Sequence, residues 1–385
     1  MNALSLLISI SLAQTASSVK PAEDYVKSWD AVQSAISARY YARKSKKELM
    51  DRLLAKYAPA AKAAKTRESF SEAVNRMIDE FGDSHFDLFT PSDQGYYLMD
   101  SLGGGKEELP QFGAWFKKLP DGYTVQMVLN GSSAEKAGLM KGDLITLING
   151  KPFTPVDSLQ SQVGKSVKIT FRRGASSGEK EVEVKKGPPQ DMFLDATRDS
   201  ARIIEHQGKK IGYVHLWTMA SNQMRDALHG LIYGKLKDTD AMILDIRDGF
   251  GGRPEGFGDP FFRPDVRLDW KMGDFTNRQL FGYQKPLVLL TNEGSRSAKE
   301  VFSYIMKKSK RATLIGSTTA GHVLGTSPGR LNEWSILEIP MVEVFTDGQT
   351  LERKGVSPDI ALSKEFDEKG EDLYLRRALE FLSKK

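Results

Sequence analysis

Two serines stand just ahead of an amphipathic helical segment in TNEGSRSAKEVFSYIMKK, residues 291–308. The apolar run KPLVLL before it predicts a buried strand, so Ser295 and Ser297 fall at a turn from strand to helix. Hydrolases hold nucleophilic hydroxyls at such turns, where the helix dipole favours negative charge. Ser297 is the better placed of the two, because the N–H of Ala298 would then point at the group under attack. The alternative is a capping box between Ser297 and Glu300, which is the simpler interpretation of this motif alone.

A glycine-rich turn offers the donors that an oxyanion would need. The segment DGFGG, residues 248–252, follows the apolar run AMILDIR, which predicts a buried strand. Paired glycines at a strand end let backbone N–H groups face a substrate without interference from a Cβ. Gly251 and Gly252 are therefore candidate oxyanion residues, although a plain tight turn would have the same sequence.

Acyl transfer also needs a base, and the chain has five histidines. Two of them, His85 and His322, are predicted in loops beside small residues, where either could act as a general base. The other three are predicted on the surface or in a strand. No pair of histidines has the spacing of a metal site, and the chain has no cysteine, so we expect neither a metal, nor another cofactor, nor cysteine catalysis.

Composition and charge are those of a globular protein of two or three domains. The 385 residues carry a formal charge of +5, but Lys and Arg are spread along the chain, which does not favour nucleic-acid binding. Residues 1–16 combine a short apolar run with small residues and resemble a secretory signal peptide. No later segment is apolar enough to span a bilayer. We therefore expect an exported protein, periplasmic or secreted, with no integral membrane segment after signal cleavage.

The chain divides into three parts after the signal segment. Residues 20–104 show helical spacing, and the polar, Gly-rich stretch SLGGGKEELP ends this part. Residues 105–190 contain short strand-like runs, and SSAEKAGLMKGDLITLINGK within them resembles the most recognisable stretch of a PDZ domain. Residues 191–385 alternate apolar strands with helices, which predicts a mixed α/β sheet covered by helices.

The PDZ resemblance implies a peptide-binding site. In such domains a Gly-containing loop captures a peptide C-terminus, and the peptide then adds as a strand to the sheet. The residues in that place here are Phe112, Gly113, Ala114 and Trp115. The alternative is that this small sheet only packs against the rest of the chain.

Three motifs in order resemble the C-terminal processing (tail-specific) serine peptidases. They are ILDIRDGFGG, the stretch NEGSRSAKEVFSYIMKKSKRATLIGSTTAG, and LERKGVSPDI near the end. The resemblance implies a crotonase/ClpP-like α/β peptidase core with an N-terminal helical part and an inserted PDZ β-barrel. It places the nucleophile on Ser297 and the oxyanion donors on Gly251, Gly252 and the Ala298 N–H. In the Ser–Lys branch of the family the base is a lysine, and here that position holds His322.

A second branch of the family, which includes tricorn-like proteases, has a Ser–His–Glu arrangement, and this chain resembles that branch more closely than the Ser–Lys branch. His85 lies in FGDSHFDLF, and Glu352 directly precedes RKGVSPD. The resemblance implies a Ser297–His85–Glu352 triad in which the carboxylate fixes the tautomer of the imidazole, with His322 as the alternative base.

The combined prediction is an exported serine endopeptidase that acts on protein or peptide substrates. Two other functions remain open: a catalytically inactive binding protein on the same fold, and a PDZ scaffold that only holds partners. The substrate and the oligomeric state are not predicted.

Overall fold

A computed structural model describes the backbone of residues 23–385 and all of their side chains except those of residues 277, 278 and 280. The predicted signal segment, residues 1–16, lies outside the described residues. Among the helices of residues 23–385, none is long and apolar enough to cross a membrane.

The described chain opens with a helical part. Its elements are α1 (Tyr25–Arg39), α2 (Lys47–Lys62), α3 (Arg67–Asp79), β1 (Asp87–Phe89) and α4 (Gln94–Leu102). Helix α1 buries Trp29, Val32 and Ile36, whose spacing places them on one face. Helix α3 begins at a Thr66 cap, and Gly82 follows its end with φ 66°. The chain therefore leaves α3 through a left-handed turn that leads directly to His85.

The second part is a small antiparallel β unit. Its elements are β2 (Leu109–Gln111), β3 (Ala114–Leu119), β4 (Gly122–Val128), α5 (Ser133–Lys136), β5 (Leu144–Ile148), β6 (Lys151–Pro152), α6 (Asp157–Gln160), β7 (Ser166–Arg173), β8 (Ser176–Glu183) and β9 (Lys185–Gly187). The sheet has the order β3-β4-β5-β7-β8, with β6 paired to β5, so β3 lies at an edge. Alternation in β7 buries Val167, Ile169 and Phe171 in a separate hydrophobic cluster. Strands β2 and β9 pair at the base of the unit, which is typical of an inserted domain.

The third part is the α/β core. Its elements are α7 (Pro189–Ser200), β10 (Arg202–His206), β11 (Lys209–His215), β12 (Thr218–Met219), α8 (Asn222–Tyr233), β13 (Ala241–Asp245), β14 (Phe250–Gly252), α9 (Asp259–Phe262), β15 (Val266–Met272), β16 (Phe275–Phe281), β17 (Leu287–Thr291), α10 (Ala298–Lys308), β18 (Thr313–Gly316), β19 (Gly325–Asn332), β20 (Ser335–Val342), β21 (Phe345–Thr346), β22 (Gln349–Thr350), β23 (Ile360–Ala361) and α11 (Leu373–Leu382). The main sheet has the order β10-β11-β13-β17-β18-β23 and is parallel except for β10. The predicted mixed α/β class is confirmed.

The core sheet positions two of the candidate segments. Strands β13 and β17 are fully buried neighbours that run in the same direction, so their carboxyl ends meet at one edge. The DGFGG loop follows β13, and the turn to Ser297 follows β17. Parallel pairing therefore brings two segments together that are about forty residues apart in sequence.

One apolar strand of the third part lies outside the main sheet. The segment SILEIPMVEVFT forms β20, but β20 pairs with β1 and β19 in a separate sheet and not with the main core sheet. Both faces of β20 are covered, because Leu337 and Ile339 pack with the N-terminal helices and Ile336 packs with the central core cluster. Because both faces are buried, the strand has the nearly continuous apolar sequence that is typical of a central parallel strand. Through the β1–β20 pairing, the chain next to His85 is fixed to the core.

Candidate active site

Ser297 is the residue immediately before helix α10, and its backbone is strained. It has φ 60° and ψ −126°, a conformation that non-glycine residues rarely adopt. Its N–H donates to the carbonyl of His322 at 2.8 Å, and the N–H of Glu300 donates to the Ser297 carbonyl at 2.8 Å. The arrangement is that of a capping box, in which the Glu300 carboxylate accepts from the Ser297 N–H and the Glu300 N–H is satisfied by the Ser297 carbonyl. The helix is thus capped through the backbone, which leaves the hydroxyl available for chemistry.

Ser295 has a different environment. Its side chain is fully buried, and its hydroxyl donates to the Ile246 carbonyl at 2.9 Å and accepts from the Asn292 N–H at 3.1 Å. These bonds fasten the turn to the end of β13. Ser295 therefore has a structural environment, and Ser297 is the serine that faces the cleft.

Glu300 ties the nucleophile to the following loop. Its carboxylate is buried and accepts from the Thr319 hydroxyl at 2.6 Å and from the N–H groups of Gly321 and His322, both at 2.7 Å. It also accepts from the Ser297 N–H at 3.2 Å, which is the contact predicted for a capping box. Burial raises the pKa of Glu300, and these four donors act in the opposite direction. One side chain thereby fixes both the Ser297 backbone and the loop that carries His322.

Gly251 lies directly against Ser297. A Cβ at this glycine would fall 2.5 Å from the Ser297 Cβ, 2.8 Å from its Oγ and 2.9 Å from the Ala298 nitrogen. Only a residue without a side chain leaves room there. Gly252 has φ 136°, and a Cβ on it would overlap the carbonyl of Met219. The structure therefore brings Gly251 and the Ala298 N–H together beside the hydroxyl, with Gly252 continuing β14 away from it.

His85 is linked to Glu352 through a hydroxyl group. The Ser84 Oγ lies 3.1 Å from His85 Nδ1 and donates to Glu352 Oε2 at 3.0 Å, and the Ser84 N–H lies 3.3 Å from Glu352 Oε1. If the hydroxyl donates to the carboxylate, it must accept from Nδ1–H, so Nε2 is left unprotonated as the basic nitrogen. The direct histidine–glutamate contact expected from the sequence is thus replaced by a relay. Ser84 was not predicted, although its position next to His85 in the D-S-H triplet was a usable signal.

The turn that carries Ser84 and His85 is clamped by its neighbour Asp83. Asp83 accepts from Lys46 Nζ at 2.7 Å, from Arg353 at 3.2 Å and from Tyr41 at 3.3 Å, and it also contacts the Tyr40 hydroxyl. Lys46 and the two tyrosines come from the connection between α1 and α2, whereas Arg353 directly follows Glu352. The clamp therefore joins the helical part to the C-terminal segment that supplies the carboxylate.

The two candidate bases lie close together in different environments. The ring centroids of His85 and His322 are 6.4 Å apart. Burial, together with the charges of Arg296 and His322, lowers the pKa of His85 to about 3, so its imidazole is neutral at neutral pH. The His322 side chain is exposed, and its ring has no hydrogen-bond partner among the described residues. His85 has the oriented ring that a general base needs, and His322 does not.

These residues share one large cleft of about 2110 Å³. Its walls include Ser297, His85, His322, Glu352, Gly251 and Gly252. The cleft also reaches the second part of the chain, where Trp115 and Phe116 line it. Among residues 23–385, no group of three or more His, Asp or Glu side chains is arranged to hold a metal ion.

The predicted peptide-binding loop is partly engaged by the chain itself. The buried Gln94 of α4 donates from Nε2 to the Ala114 carbonyl at 3.0 Å, and its Oε1 accepts from the Phe116 N–H at 3.0 Å. These are backbone groups on the free edge of β3, where an added peptide strand would bind. Trp115 packs edge-on against Phe250, with ring centroids 5.2 Å apart. The loop is thus in direct contact with the DGFGG segment.

The other two residues of this loop face inward. Phe112 is buried, and its carbonyl accepts from the Ala134 N–H at 2.8 Å. Gly113 has φ 93°, and its carbonyl accepts from the Leu129 N–H at 2.8 Å. A Cβ at Gly113 would overlap the Ser132 side chain. This glycine is therefore needed for the close approach of the loop to helix α5.

A lysine fastens the second part of the chain to the DGFGG segment. Lys141 Nζ lies 2.9 and 3.1 Å from the carboxylate oxygens of Asp248 and 3.0 Å from Glu365. All three side chains are largely buried. Asp248 itself has φ 49°, a strained value for a residue other than glycine. The ion pair therefore joins the small β unit to the first residue of the loop beside Ser297.

Known families match two segments of the chain. Residues 210–362 match peptidase family S41, and residues 124–173 match the PDZ domain. The S41 segment contains Ser297, Gly251, Gly252 and Glu352, whereas His85 lies outside it.

Curated relatives are similar to this chain over about three quarters of its length. The chain is 28% identical over 324 residues to the chloroplastic carboxyl-terminal-processing peptidase 3 of Arabidopsis thaliana, covering 74% of this chain and 59% of the relative. It is 25% identical to a probable CtpA-like serine protease of Staphylococcus haemolyticus, covering 76% and 59%. It is 24% identical to a carboxyl-terminal-processing protease of Synechocystis, covering 77% and 71%. The chain thus spans about 59% of the length of the first two of these relatives.

Solved structures share the fold. The tricorn protease superposes with a TM-score of 0.57 at 19% identity, covering 94% of this chain and 36% of the tricorn chain. A photosystem II D1 C-terminal processing protease superposes with a TM-score of 0.55 at 19% identity, covering 90% and 96%. The chain is therefore similar to serine peptidase family S41 over residues 210–362 and to the PDZ domain over residues 124–173, and the order of the two segments is the same as in the sequence prediction.

Proposed function

We propose that the protein is an exported serine endopeptidase that hydrolyses peptide bonds in protein substrates. One observation carries the proposal: a strained serine with a free hydroxyl, a glycine packed against it, and a histidine oriented through a relay to a carboxylate all face one cleft. In this proposal Ser297 is the nucleophile, His85 the base and Glu352 the carboxylate of the relay. Among the two branches of the family, this is the Ser–His–Glu arrangement.

The acylation step follows from the protonation states in the site. His85 Nε2 takes the proton of the Ser297 hydroxyl as Oγ forms a bond to the carbonyl carbon of the scissile peptide. The carbonyl oxygen becomes an oxyanion, which the N–H groups at Gly251 or Gly252 and at Ala298 stabilise. His85 then gives its proton to the leaving amine as the C–N bond breaks, which leaves an acyl-enzyme.

Deacylation repeats the same steps with water. His85 Nε2 removes a proton from water, the hydroxide oxygen bonds to the acyl carbon, and the Ser297 Oγ leaves with the proton from His85. The Ser84 hydroxyl and Glu352 hold Nδ1–H in place through both halves and stabilise the imidazolium each time it forms. The free enzyme is restored, with the Ser297 hydroxyl protonated and the His85 imidazole neutral.

The PDZ domain in this proposal binds substrate C-termini or extended segments along the free edge of β3, at the loop Phe112–Trp115. A bound strand needs the backbone groups that Gln94 now holds, so binding would displace this side chain. The contact of Trp115 with Phe250 supports this part of the proposal, because it brings the loop against the wall of the cleft.

A fluorophosphonate probe tests the nucleophile. The wild-type protein should take the label at Ser297, and Ser297→Ala should take none. Ser295→Ala is the matched control, because it removes a neighbouring hydroxyl that is bonded within the turn, and it should still be labelled. Labelling that persists in Ser297→Ala contradicts the assignment, and a folded wild-type protein without label or peptidase activity favours the inactive binding protein.

Export is tested separately. The mature protein from its native host should begin within a few residues of position 16, as determined by N-terminal sequencing, and should be found in the periplasmic or extracellular fraction. A cytoplasmic protein that still begins at residue 1 contradicts this part of the proposal without affecting the peptidase assignment.

A further inference from the structure

Lys299 is a buried lysine that the mechanism above does not use. It is the second residue of α10, two positions after Ser297, and its side chain is fully buried. Lysines are almost never fully buried unless they are paired. Within residues 23–385, Lys299 has no carboxylate within salt-bridge distance. It donates instead to two backbone carbonyls, that of Asp248 at 2.6 Å and that of Trp217 at 3.1 Å.

One of these carbonyls lies in the DGFGG loop, and the other is hydrogen-bonded to that loop. Asp248 is the first residue of the DGFGG loop, and the Trp217 carbonyl also accepts from the Phe250 N–H at 2.9 Å. A Cβ on Gly249 would fall 3.0 Å from Lys299 Nζ and would overlap the Trp217 carbonyl. The loop thus rests directly on the lysine head group, with no side chain between them.

The loop needs such support because its backbone is strained. Asp248 and Gly249 have φ values of 49° and 69°. Residues in this region of conformational space are held there only by their surroundings. Besides Lys299, the Asn292 side chain accepts from the Asp248 N–H at 3.0 Å, and Arg296 donates to the Gly249 carbonyl at 3.2 Å. Lys299 differs from these two in that it bonds both to the loop, at the Asp248 carbonyl, and to the Trp217 carbonyl beside it.

The charge of Lys299 is sensitive to pH. Burial lowers the pKa of Lys299 to about 7, while Asp248 and Asp245 act to raise it and Arg296 acts to lower it. The remaining titratable neighbour is His215, whose own pKa is lowered, mainly by burial and in part by Lys299. A neutral amine still has two N–H donors, so both hydrogen bonds can survive deprotonation. What is lost above the pKa is the positive charge beneath the loop.

We propose that Lys299 is a positioning residue of the peptidase site, whose ammonium group holds the oxyanion loop against Ser297 and adds positive charge behind the oxyanion. The inference rests on the proposed peptidase function. Its effect belongs to the transition state, since the loop that it holds supplies donors to an oxygen that becomes negative only when the carbonyl is attacked. Loss of Lys299 therefore lowers kcat and leaves KM nearly unchanged.

The test compares Lys299→Met with Lys308→Met, which removes an exposed lysine from the same helix. Two rates are measured: cleavage of fluorescently labelled casein, and labelling of Ser297 by a fluorophosphonate. Removing a direct oxyanion donor costs about 10²–10³-fold in kcat, so we expect about a 10- to 100-fold loss for this indirect support. Lys299→Met should change KM by less than about twofold, and Lys308→Met should match the wild type.

The pH profile separates this role from simple packing. The wild-type labelling rate should fall as the pH rises through about 7, and this alkaline decline should be absent in Lys299→Met. Melting temperatures below pH 7 should be unchanged or higher in the variant, because a buried charge has been removed.

A variant with wild-type kcat and the same alkaline decline overturns the proposal while leaving Ser297 as nucleophile. Should Lys299→Met not fold, a wild-type rate that stays level from pH 6 to 9 overturns it, and a wild-type protein without label overturns both proposals.

Discussion

The two halves of the candidate site are built in different ways. The nucleophile half, defined as Ser297 with residues 248–252, lies at the carboxyl edge of one parallel sheet. The base half, defined as Ser84, His85 and Glu352, comes from a turn after the third helix and from a segment near the C-terminus. The first half is positioned by the secondary structure of the α/β core, with one ion pair from the small β unit to Asp248. The second exists only when the helical part, β20 and the C-terminal segment are packed together.

The nucleophile half depends on strained backbone held by nearby side chains, whereas the base half depends on contacts between distant parts of the chain. In the nucleophile half, two strained residues are held by buried hydrogen bonds: the Ser297 N–H donates to the Glu300 carboxylate, and Lys299 donates to the Asp248 carbonyl. In the base half, the Asp83 clamp brings together residues about 270 positions apart. Loop-closure entropy must be overcome before such contacts form, so the base half depends on tertiary stability. We expect mutations in the base half to act on chemistry and assembly together.

The largest expected effect distinguishes the two histidines. Replacing His85 by alanine removes the base and should lower kcat/KM by about 10³-fold, within the range of general-base catalysis. His322→Ala is the matched control and should cost less than about tenfold, because its exposed ring has no orienting partner among the described residues. Steady-state cleavage of labelled casein measures both. A large loss in His322→Ala with a small one in His85→Ala would make His322 the base.

The pH dependence of the reaction rate distinguishes His85 from a histidine base with an ordinary pKa. Because the pKa of His85 is lowered to about 3, mainly by burial, its imidazole stays neutral as the pH falls through 6 and 5. Activity that depends on a neutral base should therefore persist to well below pH 6 as long as the protein remains folded. A base with the ordinary histidine pKa near 6.5 would lose activity around that pH. Initial rates from pH 4 to 8, with circular dichroism at each pH, decide between them.

The next effect tests the relay. Ser84→Ala removes the hydroxyl between His85 and Glu352 and should lower kcat by about 10- to 100-fold, with little change in KM, as for other groups that orient a catalytic side chain. Ser327→Ala, in the wall of the same cleft, is the control and should be neutral. An unchanged kcat in Ser84→Ala would mean that His85 is oriented without the hydroxyl.

Much of the nucleophile half could be predicted from sequence, because its signals are local. An apolar strand followed by a Gly pair, and a second strand followed by serine and a helix, are contiguous patterns that parallel pairing brings to one edge. In the base half, the residues alone left His85 and His322 as equal candidates, and only the resemblance to a family selected His85 and Glu352. Ser84 was missed because its role depends on a glutamate 268 residues away.

Other features could not be predicted because they depend on three-dimensional packing. The sequence near Lys299 indicates an exposed helix face as readily as a buried one, and only the packing of α10 under the loop buries this side chain. The sheet to which β20 belongs could not be predicted, because coverage by the N-terminal helices gives this strand the composition of a central strand. Gln94 gave no signal at all, since its partners are backbone groups.

A smaller effect links the PDZ domain to the nucleophile half. Lys141→Met removes the cation paired with Asp248, whereas Glu365 keeps its ion pair with Arg247, so we expect a few-fold loss in kcat. Lys136→Met, on helix α5 of the same domain and outside this network, is the control. If both variants match the wild type in casein cleavage, the strained Asp248 is held by the core alone.

The smallest effect on catalysis, and the one most specific to the PDZ domain, concerns Gln94. Its carboxamide fills the two hydrogen-bonding positions on β3 that an incoming strand would use, so it competes with any added peptide. Gln94→Ala frees these groups and should tighten the binding of peptides with free C-termini by about fivefold, since each net hydrogen bond contributes about 1 kcal/mol. Basal cleavage of casein should change less than twofold, because Gln94 contacts neither Ser297 nor the relay.

Fluorescence anisotropy with a C-terminally free peptide library measures the affinity, and Gln160→Ala, which removes a carboxamide from helix α6, is the control. Equal or weaker binding in Gln94→Ala would mean that this edge of β3 is a packing surface and that substrates reach the cleft without it.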